Sequence, residues 1–145
     1  MGDRRDTISF LSDYGTADEF VGVVKSVVRS IAPHVTVIDL THEIPAHCPA
    51  EAGFWLARSF RHFPLGTVHV AVVDPGVGTN RDALLVEADG YFFLAPDNGL
   101  LSWVLKQAKR IRLRKLRPDI HRPGEVSSTF HGRDVFAYAA GLLAA

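Results

Sequence analysis

The chain has 145 residues, of which 47% are hydrophobic and 22% charged, close to the averages of soluble globular proteins. That length fits one domain, which buries roughly 68–70% of the surface its unfolded chain exposes. Sixteen basic residues balance sixteen acidic ones, which excludes a global positive field for nucleic acid or an anionic membrane.

The predicted elements follow in chain order. Thr7 to Leu11 is a short apolar run stopped by Ser12-Asp13-Tyr14-Gly15, which reads as a strand meeting a turn. Phe20, Val23, Val24, Val27 and Ile31 recur at helical spacing, with Lys25 and Arg29 on the other face. Thr16 and Asp18 offer oxygens to cap that helix, and Pro33 closes it. Val35 to Leu40 is a second strand. Ala50 to Phe60 is a second helix that carries Phe54, Trp55 and Leu56. Thr67 to Val73 is a third strand, apolar apart from His69, as a strand covered on both faces should be.

After Arg81 the pattern changes. Ala83 to Ala88 and Tyr91 to Ala95, joined by Asp89-Gly90, predict a β-hairpin. A helix over Gly99 to Ala108, a strand over Ile111 to Leu116 and a last helix over Asp134 to Ala144 complete the chain. The basic stretch Lys109 to Arg117 alternates with Ile111, Leu113 and Leu116, so it reads as a strand with one solvated face. The alternation of strands and helices predicts an α/β fold, a mainly parallel sheet flanked by helices on both faces. No repeat or internal linker divides residues 1–145.

Cys48 is the only cysteine, so an intrachain disulfide is excluded and a reducing, cytoplasmic setting is expected. The start of the chain, MGDRRD, lacks the apolar core of a signal peptide, and no apolar run is long enough to span a bilayer. The chain stops at LLAA, at the end of a predicted helix, as a fragment would.

In open α/β sheets, ligands sit beyond the carboxyl ends of the strands. The first such loop carries Asp13 and Asp18, which serve equally as helix caps or as ligand groups. The second carries His42, Glu43, His47 and Cys48. These lack a Cys-x-x-Cys or His-Glu-x-x-His frame, so no metal is expected. The third carries Asp74 and Arg81 around a Pro-Gly turn whose glycines fit no nucleotide-phosphate frame. Asp97-Asn98-Gly99 reads as a turn into a helix. In Ser128-Thr129-Phe130-His131-Gly132-Arg133-Asp134, Asp134 can cap the last helix. His131 is left beside a glycine with charged neighbours that can fix its charge and orientation.

The segments LSDYGTADEFVG, VIDLTHEIP, VVDPGVGTNR, APDNGLLSWV and STFHGRDVFA stand in the order seen in S-adenosyl-L-methionine hydrolases of the hydroxide adenosyltransferase type. The resemblance runs from about Ser9 to Ala140 and extends to the fluorinating and chlorinating enzymes of the same superfamily. It implies a catalytic set of Asp74, Arg81 and His131. It also implies substrate contacts from Asp13 and Asp18, and a pocket position for Asp97 and Asn98. The implied reaction is attack of water on the 5′ carbon of the substrate, giving adenosine and L-methionine. Either Asp74 or His131 takes the proton, and no cofactor, nucleic acid or membrane is involved. The resemblance further implies a homotrimer and a second, β-rich domain following the α/β domain, which residues 1–145 do not include. The resemblance therefore implies an N-terminal α/β domain carrying the catalytic motifs, alone an incomplete enzyme. The alternatives are a binding module or inactive fragment, and a halide-using adenosyltransferase. The HEIP motif continues here as Ala46-His47-Cys48, where relatives often place an aromatic residue.

Overall fold

The computed structural model describes residues 5–124, 126–127 and 130–145. The polar start Met1 to Arg4, and Ser128 and Thr129 of the STFHGRD motif, lie outside the described residues. The chain runs β1 (Thr7–Ser12), α1 (Phe20–Ile31), β2 (Thr36–Thr41), α2 (Pro49–Ser59), β3 (Val68–Val72), β4 (Ala83–Ala88), β5 (Tyr91–Pro96), α3 (Ser102–Gln107) and β6 (Ile111–Lys115). A 3₁₀ turn at Phe60–His62 prolongs α2, and a π-helical stretch at Gly132–Ala137 leads into α4 (Tyr138–Ala144).

The six strands form one sheet in the order β2-β1-β3-β5-β4-β6. β2, β1, β3 and β5 are mutually parallel, whereas β4 is antiparallel to both β5 and β6. The β4–β5 hairpin closes on Asp89 and Gly90, with φ of 51° and 87°. Two successive left-handed residues match the turn to the twist of the strands, and Gly90 adopts that conformation without a Cβ clash.

Alternation along the inner strands sends side chains to two cores. Ile8, Phe10, Val70, Val72 and Leu94 pack with Val24 and Val28 of α1 and with Phe136 and Ala140. Leu11, Ala71, Val73, Phe93 and Ala95 pack on the other face with Ala52 and Leu56 of α2 and Val104 of α3. Each fully buried Phe or Leu stabilises the fold by roughly 1.5–3 kcal/mol relative to exposure. The central strand β3 is buried along its whole length, while edge strand β6 is exposed along its whole length. The basic residues of β6 thus line an open edge and discourage edge-to-edge association.

Two predicted helices have different bounds. The helix expected over Gly99 to Ala108 begins only at Ser102, because Gly99 has φ of 86° and stands outside helical space. The helix expected over Asp134 to Ala144 begins earlier, at Gly132, and its first turns are π rather than α. Asp134 does not cap it. Its buried carboxylate instead accepts the Ser127 amide at 2.7 Å and Arg133 Nε at 2.6 Å, tying the preceding loop to the helix.

The connections from β1 and β3 lead to opposite sides of the strand order, β1 through α1 to β2 on one side and β3 through its loop to the β4–β5 hairpin on the other. α1 packs on the Phe10 face and α2, which precedes β3, on the Leu11 face. The carboxyl ends of β1 and β3 therefore flank a crevice where the topology switches, the position at which α/β sheets bind ligands.

Candidate active site

Asp74 lies two residues beyond β3, Arg81 two residues before β4, and His131 immediately before the π-helical stretch. Arg81 Nε is 3.0 Å from both carboxylate oxygens of Asp74, and its Nη2 also donates to Asp74 Oδ2. The same Nη2 lies 2.7 Å from His131 Nδ1, across fifty residues of sequence. The side chains of Arg81 and Asp74 are only 12% and 5% exposed. Low exposure strengthens such a charge-assisted pair relative to one in water. The Arg81 guanidinium also stands 5.6 Å over the Phe136 ring, so an apolar side chain supports it from below.

The donor pattern fixes the histidine. A guanidinium has five N–H donors and no acceptor, so His131 Nδ1 accepts and its ring hydrogen sits on Nε2. Burial, with the Arg81 charge next, holds His131 below the ordinary histidine pKa. Asp74 and Asp134 oppose this without reversing it. The ring is therefore neutral near pH 7, with Nε2–H as a donor.

These groups border a cavity of about 320 Å³ lined by Asp13, Tyr14, Asp18, Phe20, Asp74 and His131, among others. Asp13 Oδ2 accepts the His47 amide at 3.0 Å and Asp18 Oδ1 the Phe20 amide at 3.1 Å, so each keeps one carboxylate oxygen on no described donor. Asp18 thus serves the first turn of α1 and lines the cavity at once. His47 adopts φ of 61°, a left-handed conformation uncommon outside glycine, which aims its amide at Asp13. Asp97 and Asn98 do not line this cavity. Asp97 is exposed, and Asn98 donates to the Val73 carbonyl at 2.8 Å while accepting the Leu100 amide at 3.2 Å. Asn98 therefore holds the residue before Asp74. Of the second loop, His42 turns into the core and Glu43 to solvent, so only Ala46 and His47 reach the cavity.

Sequence reasoning missed Tyr14. Its ring stands edge-on to Phe10, Phe20 and Phe130, and a Cβ at position 132 would overlap its hydroxyl. Burial first, then the charges of Asp13 and Asp74, push the Tyr14 pKa above its ordinary value. The hydroxyl therefore stays protonated. The tyrosine of SDYG and the glycine of FHGRD are visible in the sequence, but their contact needs the fold. Among the described residues, no three His, Cys, Asp or Glu side chains converge as a metal ion would need.

Residues 8–145 match the family described as SAM hydroxide adenosyltransferase N-terminal domain. The (R)-S-adenosyl-L-methionine hydrolase of Thermus thermophilus is 44% identical over 145 residues, covering 94% of this chain and 56% of that protein. A crystal structure of an uncharacterised conserved protein from Thermotoga maritima superposes with a TM-score of 0.90 at 38% identity, covering 94% of this chain and 53% of the other. A fluorinase from Actinoplanes sp. is more distant, 29% identical over 161 residues, covering 95% of this chain and 54% of the fluorinase. The chain spans about half the length of the curated relatives it matches. By sequence and by fold, it belongs to the SAM hydroxide adenosyltransferase family and corresponds to its N-terminal domain.

Proposed function

We propose that this chain is the catalytic N-terminal part of an enzyme that hydrolyses S-adenosyl-L-methionine to adenosine and L-methionine. The observation that carries the reading is the single guanidinium of Arg81, which joins Asp74 and His131 at the wall of the cavity.

The sulfonium of the substrate is already a good leaving group and needs no proton. The difficulty lies with the nucleophile, because bulk water has a pKa of about 15.7. In this reading, one water oxygen bonds to C5′ as the C5′–S bond breaks, and the electron pair of that bond returns to sulfur to give neutral methionine. Arg81 stabilises negative charge developing on the water. His131, its Nδ1 engaged by Arg81, orients the water as a donor through Nε2–H. The proton passes to Asp74, whose carboxylate keeps acceptor capacity beyond its Arg81 contacts, and then to solvent. The free carboxylate oxygens of Asp13 and Asp18 take polar groups of the ribose or methionine portions, and Asn98 acts by holding Val73.

Hydrolysis is favoured over halide transfer by the retained Asp74, Arg81 and His131, and by the higher identity to the hydrolase than to the fluorinase. The family resemblance also supports a homotrimer in which a second, β-rich domain closes the site, and a cytoplasmic setting. Among the described residues, no helix is long and apolar enough to cross a membrane.

The test is product analysis in ¹⁸O-water, with residues 1–145 and with a chimera that adds the second half of the Thermus thermophilus relative. Adenosine labelled at the 5′ oxygen and equimolar methionine are expected, independent of chloride or fluoride. The chimera should be faster, because a closed site excludes bulk water from the polar groups. Failure of both proteins to form adenosine would overturn the reading, and a halogenated nucleoside would replace it with halide transfer.

A further inference from the structure

A second polar chain runs from the surface of α1 to the tip of β1, apart from Asp74, Arg81 and His131. Lys25 Nζ donates to Asp39 Oδ2 at 2.9 Å. Asp39 Oδ1 lies 2.8 Å from His42 Nε2, and His42 Nδ1 lies 2.7 Å from Ser12 Oγ. Ser12 Oγ in turn accepts the Tyr14 amide at 3.2 Å. Ser12 and His42 are 0% and 5% exposed, so this order of groups is a feature of the interior.

The bonds have one consistent direction. An ionised carboxylate only accepts, so Asp39 places a hydrogen on His42 Nε2, and Nδ1 then takes the Ser12 hydroxyl hydrogen. The Ser12 lone pairs remain for the Tyr14 amide. Burial works against the charge of Asp39, but the hydrogen bonds from His42 and Lys25 outweigh it and hold the carboxyl below its ordinary value. The backbone of the same histidine contributes a second hold, since the His42 carbonyl accepts the Gly15 amide at 2.8 Å. The ring itself packs edge-on against Phe10, with centroids 4.7 Å apart.

From this geometry we infer that His42 is a positioning residue that locks the 12–15 turn and thereby sets Asp13 and Tyr14 against the substrate cavity; its bearing on substrate rests on the function proposed above. Although serine, histidine and aspartate occur together, Ser12 is fully buried and serves as a relay, with no role as a nucleophile. An apolar side chain would fill the same space. What it would not supply is the acceptor that orients the Ser12 hydroxyl, whose lone pairs hold the Tyr14 amide, and a buried hydroxyl without an acceptor is costly.

The experiment uses the full 145-residue chain and reads amide hydrogen exchange by NMR together with S-adenosylmethionine affinity by calorimetry. His42→Phe keeps the ring against Phe10 and cuts both side-chain bonds. It should speed exchange at Tyr14 and Gly15 by about tenfold or more, leave Val70 and Val72 of β3 unchanged, and weaken affinity by about tenfold. His42→Gln, whose amide can accept from Ser12 and donate to Asp39, should restore most of both. Ser12→Ala should speed exchange chiefly at Tyr14. Unchanged exchange at Tyr14 and Gly15 in His42→Phe overturns the inference. So does an equal loss of protection across β3 and the turn in all three variants, which would mark simple destabilisation. Should the unmodified chain bind no S-adenosylmethionine, the substrate reading falls, while the exchange data still decide whether His42 anchors the turn.

Discussion

Two histidines, one buried in the middle of the sheet and one partly buried at its rim, are held below their ordinary pKa, the first by burial alone and the second by burial together with a neighbouring cation. His69 lies on β3, fully buried among Phe60, Phe63, Tyr91 and Phe93, with Ser9 Oγ 2.5 Å from its Nδ1. Among the described residues its Nε2 has no partner, and burial alone pushes its pKa down to about 3. His131 is partly buried, and the charge of Arg81 acts on it together with burial. The core histidine is silenced by its lack of water. The rim histidine is held down by burial first and by the Arg81 charge next, and the same arginine fixes its tautomer, which is what a site needs if the ring is to present one defined donor.

The largest expected effect breaks the rim. Asp74→Ala and His131→Ala should each lower turnover of the chimera by about 10²–10⁴-fold, with much smaller changes in substrate affinity. Arg81→Lys should fall in the same range, because lysine keeps the charge but loses the planar fork that reaches Asp74 and His131 together. Single-turnover kinetics with measured affinities decide this, and near-normal rates in the alanine variants would remove the mechanism. An NMR titration sharpens the comparison: Arg81→Gln should move the His131 midpoint upward, since the cation that opposes its protonation is gone. The His69 midpoint should stay where it is.

The core gives the next largest effect, and its sign follows from linkage. The folded pKa of His69, about 3, lies below the unfolded value of about 6.5, so between these pH values the unfolded chain binds more protons. Stability is therefore unaffected by this group above about pH 6.5 and declines as pH falls toward 3. At pH 4.5 the loss from His69 alone should be roughly 2–3 kcal/mol relative to pH 7.5. Urea unfolding across that range checks it. His69→Leu should flatten this part of the profile even though it strands the Ser9 hydroxyl, and an unaltered slope would show that His69 does not titrate on unfolding.

The same two regions differ in how far the sequence discloses them. Thr7 to Leu11, Phe20 to Ile31 and the 83–95 hairpin follow from periodicity and turn residues, because burial on one or both faces is written into their spacing. His69 stood out as one polar residue in an apolar strand, yet its aromatic surroundings come from three other elements. At the rim, Asp74, Arg81 and His131 were visible through ordered motifs, whereas their meeting on one guanidinium was not. The π-helical turns before α4 leave no periodic trace, since the widening is in the backbone and the apolar pattern survives it. Asn98 could be read as part of a turn, but its bond to the Val73 carbonyl depends on strand order.

The smallest effect tests whether the rim is packed as tightly as the core. Tyr14 reaches Gly132 through its hydroxyl, so an alanine at 132 must displace that hydroxyl or shift the π-helical turn. The clash falls on one atom at the end of a buried side chain, and overpacking of this kind costs about 1–3 kcal/mol. Gly132→Ala should therefore lower stability by about 1–2 kcal/mol and disturb the setting of His131, its immediate neighbour. Tyr14→Phe removes the obstructing oxygen, and in the double variant Gly132→Ala/Tyr14→Phe more than half of that loss should return. A coupling energy near zero in the double-mutant cycle would mean that the tyrosine and the glycine do not share this space. Strong coupling with unchanged unfolding at pH 4.5 would separate the two regions cleanly, because the Tyr14–Gly132 contact lies at the rim and the acid response originates at His69.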